Sequence, residues 1–74
     1  MKLQFIPRDQ NSLKHFDKML DDSDFYAELI DNRYFEFPAE DEQLIDALEG
    51  DIQNEIERYN AENGAVIFGH FECE

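Results

Sequence analysis

The clearest fold signal in this chain lies in residues 38–57, PAEDEQLIDALEGDIQNEIE. Apolar residues recur there mostly at steps of three, four or seven, the spacing of one face of an α-helix. They are Leu44, Ile45, Leu48, Ile52, Ile56 and, just beyond the quoted stretch, Tyr59. Pro38 and the acids that follow favour a helix start, because proline fits a first helical turn and carboxylates interact well with the positive end of the helix dipole. The pattern predicts a helix from Pro38 to about Asn60, with Asn63-Gly64 as its stop signal.

Strand-like segments flank this helix. Tyr34-Phe35-Glu36-Phe37 alternates, so Phe35 and Phe37 are expected on one face of a strand that Pro38 ends. Residues 65–73, AVIFGHFEC, are rich in β-branched and aromatic side chains and predict the last strand. Near the start of the chain, residues 2–6, KLQFI, predict a short strand that Pro7 ends.

The segment between the first two strands is predicted to be helical. Apolar spacing from Leu13 onward indicates a helix that Asp9, Asn11 or Ser12 can cap. The run 21–24, DDSD, consists of residue types that favour helix caps, so we favour a break there and a second short helix after it. The apolar face of that second helix would consist of Phe25, Tyr26, Leu29 and Ile30. The alternative is one continuous helix as far as residue 31, with two of these side chains exposed.

The predicted element order is β-α(α)-β-α-β. It indicates an α+β fold, a small two-layer α/β sandwich in which the helices cover one face of a three-stranded sheet. Strand order and direction stay open, because connections of this length allow parallel and antiparallel pairs. With 74 residues and no visible linker or repeat, residues 1–74 are expected to form one acidic domain.

Composition indicates the compartment and excludes several kinds of site. Cys73 is the only cysteine, so the chain can form neither an internal disulfide nor a zinc site built from several cysteines. The N-terminal residues lack the apolar core of a signal peptide, and no apolar run is long enough for a membrane span. We therefore expect a cytoplasmic protein, located in the host cytoplasm if a phage encodes it.

Catalysis finds no support in the sequence. His15 and His70 do not have the close spacing of metal-ligating histidines, and residues 21–24 lack the glycine of a calcium-binding loop. No glycine-rich phosphate loop is present. We expect no enzymatic activity, no catalytic residue, no metal ligand and no cofactor.

Net charge is the most informative bulk property. Nineteen Asp and Glu residues stand against six Lys and Arg, for a formal charge of −13. Residues 1–20 carry +2 and residues 21–74 carry −15. Such a field repels nucleic acids and anionic membranes and attracts basic protein surfaces, so we expect a basic protein partner, with no direct nucleic-acid or membrane binding. The alternative is that the charge serves only solubility.

The acids of the central helix are themselves patterned. At about 100° per residue, Glu42, Asp46, Glu49 and Glu57 fall in one band, separated by about 5 to 6 Å along the axis where they are neighbours, which is comparable to the spacing of phosphates on a DNA strand. Like-charge neighbours at this spacing cost about 0.2 to 0.5 kcal/mol each, and of these helix acids only Glu55 has a basic partner, Arg58. Several small penalties on so small a domain suggest selection for the negative surface itself.

Further candidates for partner binding lie earlier in the chain. Asp21, Asp22 and Asp24 form a second acidic patch in the sequence. Tyr26 and Tyr34 are candidate aromatic anchors, since tight interfaces need desolvated aromatic contacts in addition to charge. Phe25 is a third candidate, for which core packing is the better explanation.

Small size, high acidity and the band of carboxylates resemble, at the level of a class, the phage-encoded inhibitors of bacterial defence, the anti-CRISPR and antirestriction DNA mimics. No family motif carries this resemblance, and no functional residue is transferred from it. It implies an inhibitor that presents carboxylates where a nuclease or a guided effector complex binds phosphates. The alternative is an immunity protein or antitoxin that neutralises a toxic nuclease, which would use the same electrostatics.

Overall fold

A computed structural model describes residues 2–73 of the chain. Its elements are β1 (Lys2–Pro7), α1 (Gln10–Asp21), β2 (Glu28–Ile30), β3 (Tyr34–Pro38), α2 (Glu42–Asn63) and β4 (Gly69–Cys73). The four strands form one sheet in the order β2-β3-β1-β4, and every neighbouring pair is antiparallel. This connectivity is that of a split β-α-β motif, in which β3 lies between β1 and β2.

The core lies between one face of the sheet and the two helices. Alternation along β1 and β3 puts Leu3 opposite Phe37 and Phe5 opposite Phe35, and all four side chains are buried. Phe16 of α1 stacks on Phe5, with ring centroids 4.2 Å apart. The other buried apolar residues come mainly from the helices and are Leu13, Met19, Ile45, Ile52, Ile56 and Ile67. The α+β class predicted from the sequence is thereby confirmed.

The predicted second short helix is wrong, and so is the three-stranded sheet. Residues 28–30 form β2, which pairs with β3 from Glu28 opposite Glu36 to Ile30 opposite Tyr34. The connection explains the difference: Asp31 and Asn32 both have positive φ, 53° and 55°, and the amide of Arg33 donates to the carbonyl of Ile30 at 2.9 Å. Two consecutive left-handed residues of this type are characteristic of a hairpin turn. Hydrogen bonding to β3 overrides the weak helical spacing of residues 25–30.

Helix α1 begins and ends at residues that the sequence had indicated. Asp9 is the N-cap, and its Oδ1 accepts a hydrogen bond from the backbone amide of Ser12 at 2.8 Å. That hydrogen bond is the main reason why the pKa of Asp9 lies below its usual value, with the Ser12 hydroxyl and Arg8 adding to it. The helix ends at Asp21, so the predicted break in the aspartate cluster is confirmed.

Helix α2 begins later than predicted. Pro38 is the last residue of β3, and the N-cap is Asp41, whose Oδ1 accepts from the amide of Leu44 at 2.9 Å. The helix continues to Asn63 and ends at Gly64, which adopts the left-handed conformation with φ 86°. The stop signal is therefore confirmed. The predicted first turn, Pro38 to Asp41, is instead the end of β3, a two-residue linker and the N-cap.

The last strand is shorter than predicted, because residues 65–68 form a loop that side chains hold. Asn60 Oδ1 accepts from the amides of Val66 and Ile67, and its Nδ2 donates to the Ile67 carbonyl at 3.0 Å. The Ser12 hydroxyl, fully buried, accepts from the Phe68 amide at 2.9 Å. These bonds replace sheet pairing for the loop, and β4 joins β1 only from Gly69 onward.

Candidate protein-binding surface

Helix α2 is the element that positions the predicted acidic residues. Ile45, Ile52 and Ile56 bury its inward face, and Ile52 is completely inaccessible to solvent. The two helices also meet near its C-terminal end, where His15 Nδ1 and the Tyr59 hydroxyl are 3.0 Å apart. A helix packed in this way fixes the backbone positions from which its outward side chains project, and the long helix therefore acts as a support for charge.

The carboxylates of Glu42, Asp46, Glu49 and Glu57 are all exposed on α2. We call them the acidic band. By helical geometry they occupy a sector about 80° wide and extend over about 22 Å of the axis. The ion pairs within residues 2–73 are Lys2–Glu36, Arg8–Asp9 and Arg58–Glu55, and none of them includes a member of the band. The band is therefore an uncompensated row of negative charge.

The second predicted acidic patch lies elsewhere on the molecule. Asp21 is the last residue of α1, Asp22 is its C-cap, and Asp24 lies in the following loop. Asp22 and Asp24 line a shallow depression together with Glu55 and Arg58 of α2. Helical geometry puts Glu55 on α2 about 160° away from the centre of the acidic band. The patch thus faces the opposite flank of α2 and contains a cation, so the two predicted groups do not form one continuous surface.

The candidate aromatic anchors also lie apart from the acidic band. Tyr26 is 67% exposed in the loop before β2, and its hydroxyl donates to Glu28 Oε1 at 3.2 Å. This hydrogen bond, together with the negative charge of Glu28, raises the pKa of the Tyr26 phenol. Tyr34 is half-buried in β3 opposite Ile30. Phe25 packs partly against the core, as the sequence favoured.

Tyr34 belongs to the sheet face that no helix covers. Cross-strand register puts Glu28, Glu36, Gln4 and Glu72 in one row across all four strands of this face. Glu36, whose side chain is only 13% exposed, is held by Lys2 Nζ at 3.4 Å and by Gln4 Nε2 at 3.4 Å. The row depends on strand order, so a linear reading of the sequence could not find it.

A groove on the far flank of α2 is the feature that sequence reasoning missed. Leu44 had been placed in the core, but it is 51% exposed, because Ile45 takes the inward position and the two side chains point about 100° apart. The groove has a volume of about 580 Å³. Its lining consists of Pro38, Ala39, Glu40, Leu44, Ala47, Leu48 and Asp51. The sequence signal was the adjacent pair Leu44-Ile45, which one helix face cannot bury equally.

Comparisons with known proteins add no identification: no family model, no curated protein and no solved structure matches this chain significantly. Neither α1 nor α2, the helices within residues 2–73, combines the length and apolar character of a membrane-spanning segment. In that same part of the chain, no three His, Cys, Asp or Glu side chains converge as they would around a metal ion.

Proposed function

We propose that this protein is an inhibitor that uses α2 to occupy a basic nucleic-acid-binding surface of another protein, with the acidic band in place of DNA phosphates. The observation that carries the proposal is the band itself: four exposed carboxylates on one sector of a rigid helix, without a cation within 4.0 Å in the described chain. A nuclease or a guided effector complex of a bacterial defence system offers the complementary surface.

Electrostatics explains how such a protein would work. Opposite fields accelerate encounter with a basic channel, and close charge pairs formed there slow dissociation. Because α2 is anchored through Ile45, Ile52 and Ile56, the helix backbone that carries the carboxylates is already ordered before binding, so little backbone entropy is lost. Occupancy of the channel would exclude the nucleic acid by direct competition.

The test is recovery of a partner and its loss on charge reversal. Tagged protein is incubated with lysate of the source cell or of its phage host at low salt and at high salt, and retained proteins are identified by mass spectrometry. We expect a basic nucleic-acid-binding protein at low salt and much less of it at high salt. Duplex DNA added as competitor should release it.

The decisive variant carries Glu42→Lys, Asp46→Lys and Glu49→Lys, which should leave the fold intact and abolish the interaction. Its charge is −7 instead of −13, so a control with the same total charge is needed. Asp17→Lys, Glu62→Lys and Glu72→Lys make the same change at exposed positions outside the band. Equal binding by the two triple variants would mean that total charge, not the band, is recognised, and the proposal would fail.

The identity of the recovered protein separates the proposal from its alternative. A guided effector or restriction enzyme supports the defence inhibitor. A single cognate toxic nuclease supports an immunity protein or antitoxin. Failure to recover any basic protein leaves solubility as the role of the charge.

A further inference from the structure

The apolar groove on the far flank of α2 is formed by the linker between β3 and α2 and by the first turns of α2. Pro38 ends β3, and Asp41 caps α2 through the Leu44 amide, so the linker turns back along the first turns of the helix. Ala39 and Leu48 are both partly buried against the core, so packing holds both sides of the groove in place. The groove, which we call the Leu44 groove, is therefore formed by fixed backbone on both sides.

Its apolar surface is contiguous and open. Leu44, Ala47 and Leu48 line one wall, and Pro38 and Ala39 line the other. A single exposed leucine needs no explanation, but here five apolar residues adjoin in one concavity that has carboxylates at its edge.

The rim of the groove determines which occupant fits. Glu40 and Asp51 are the charged residues of the lining, which contains no Lys or Arg. Asp41 and Glu42 lie at the same end of α2 and are also exposed. Lys2 is opposite Pro38 on the neighbouring strand, but its ammonium group is 3.4 Å from Glu36 on the sheet face. An apolar floor inside a negative rim complements an apolar side chain flanked by positive charges.

A second copy of this chain is a poor occupant for the same reason. Each copy carries −13, so two copies repel each other, and the acidic rim adds to that repulsion. A neutral apolar partner would have to desolvate the rim carboxylates without compensation, which costs free energy. A basic protein segment avoids both penalties.

We infer that the Leu44 groove binds a segment of a partner protein in which an aliphatic or aromatic side chain is flanked by lysines or arginines. The inference goes beyond the proposed function, because the groove lies about 170° around α2 from the acidic band and recognises an apolar group as well as charge. The apolar side chain occupies the space between Leu44 and Ala39, and the flanking cations contact Glu40 and Asp51.

The experiment uses the full chain, labelled with ¹⁵N, and three synthetic hexapeptides. The first has Trp-Leu at its centre with two lysines on each side, the second replaces Trp-Leu by Gly-Gly, and the third replaces all lysines by serines. Backbone amide shifts are followed during titration at low salt. We expect the first peptide to shift the amides of residues 39–51 around the groove, and we expect the other two to bind at least about fivefold more weakly.

Two variants give a matched comparison of exposed leucines. Leu44→Gln removes the apolar wall of the groove and should weaken binding of the first peptide about five- to tenfold. Leu29→Gln changes a leucine of similar exposure, 41%, on the edge strand β2 and should leave the affinity unchanged. Amide dispersion in both spectra verifies that each variant is folded before affinities are compared.

Several results would overturn the inference. They are equal binding of the glycine peptide, shifts confined to the acidic band or to the sheet face, equal effects of the two leucine variants, and the absence of shifts up to about 5 mM peptide. A peptide that binds the groove while the charge-reversed band still retains its partner would refute the proposed function alone. If the first peptide does not bind the groove, but binding of the recovered partner still requires the acidic band, only this inference is refuted.

Discussion

On one flank of α2, four exposed carboxylates have no cation within 4.0 Å among residues 2–73, whereas on the other flank, in the N-terminal half of the helix, apolar side chains line a groove with a charged rim. The acidic band acts over a distance of about 8 to 10 Å at moderate ionic strength and weakens with salt. The Leu44 groove acts only in contact and depends on shape. The comparison shows how one helix, fixed by its inward face, can present two chemically different surfaces to the same solvent.

The inward face of α2 is the reference for both flanks. Ile45, Ile52 and Ile56 are buried there, while Leu44, one residue from Ile45, is half exposed. If the inward face serves folding, substitutions there should lower stability. If the flanks serve binding, substitutions there should weaken association and change stability little.

The largest effect on stability is expected at the inward face. Ile52→Ala should lower the free energy of unfolding by about 2 to 4 kcal/mol, because it removes buried methyl groups and leaves a cavity at a fully inaccessible site. Leu44→Ala, at a half-exposed site, should cost less than about 1 kcal/mol. Urea denaturation followed by circular dichroism measures both. Similar losses at the two positions would mean that Leu44 is a core residue and that the groove is not a free surface.

A smaller and opposite effect is expected at the outward crest of α2, between the flanks. Gly50 is exposed in mid-helix, and a Cβ built there meets no heavy atom within 4 Å. Gly50→Ala should therefore raise the free energy of unfolding by about 0.5 to 1 kcal/mol, because alanine loses less backbone entropy in a helix.

Gly64 provides the control for this substitution. It has equally open surroundings but adopts φ 86°, so Gly64→Ala should destabilise the protein by about 1 kcal/mol. Thermal unfolding of the two variants under the same buffer conditions gives opposite shifts of Tm. A stabilised Gly64→Ala variant would contradict the left-handed helix end.

The smallest effect is expected within the acidic band. Asp46→Lys places a cation between Glu42 and Glu49, replacing repulsion by attraction in two pairs, and should stabilise the fold by about 0.2 to 0.5 kcal/mol for each pair at low salt. In 1 M NaCl the electrostatic stabilisation should disappear, because salt screens it. The remaining stabilisation comes from the better helix propensity of lysine. Urea unfolding at the two salt concentrations separates the electrostatic contribution from the helix-propensity contribution. A loss of stability at low salt would indicate a structural role for Asp46, contrary to a band that serves association.

Several elements of the fold were predictable from local pattern. The inward face of α2, the strand with Phe35 and Phe37 on one side, the break after Asp21 and the stop at Gly64 each follow from periodicity or from one residue type. The acidic band was predictable for the same reason, because helix geometry alone fixes the relative positions of its four residues, independently of the packing beneath the helix. Their use in binding remains a proposal.

The errors share one cause, which is that the residue pattern of a segment does not show which hydrogen bonds and neighbours the segment has in the fold. The segment 28–30 has weak helical spacing, but pairing with β3 makes it a strand. Residues 65–68 have strand-like composition, but Ser12 and Asn60 hold them as a loop. Leu44 belongs to the apolar pattern, but the neighbouring Ile45 takes the inward position on α2 and leaves Leu44 half exposed. In each case a hydrogen bond or a packing position decided the structure, and neither is encoded in apolar spacing or in β-forming composition; of the bonds named here, only Ser12–Phe68 joins residues far apart in sequence.

The sequence by itself determined the α+β class, the long amphipathic helix and the row of carboxylates along it, because these depend on the repeat of the backbone and on side-chain charge. The tertiary structure alone decided the antiparallel order β2-β3-β1-β4, the row of acids across the open sheet face and the Leu44 groove. These features require knowing which elements lie side by side. That information comes from packing of the whole chain, since the entropy of closing each loop is repaid only by contacts between distant segments.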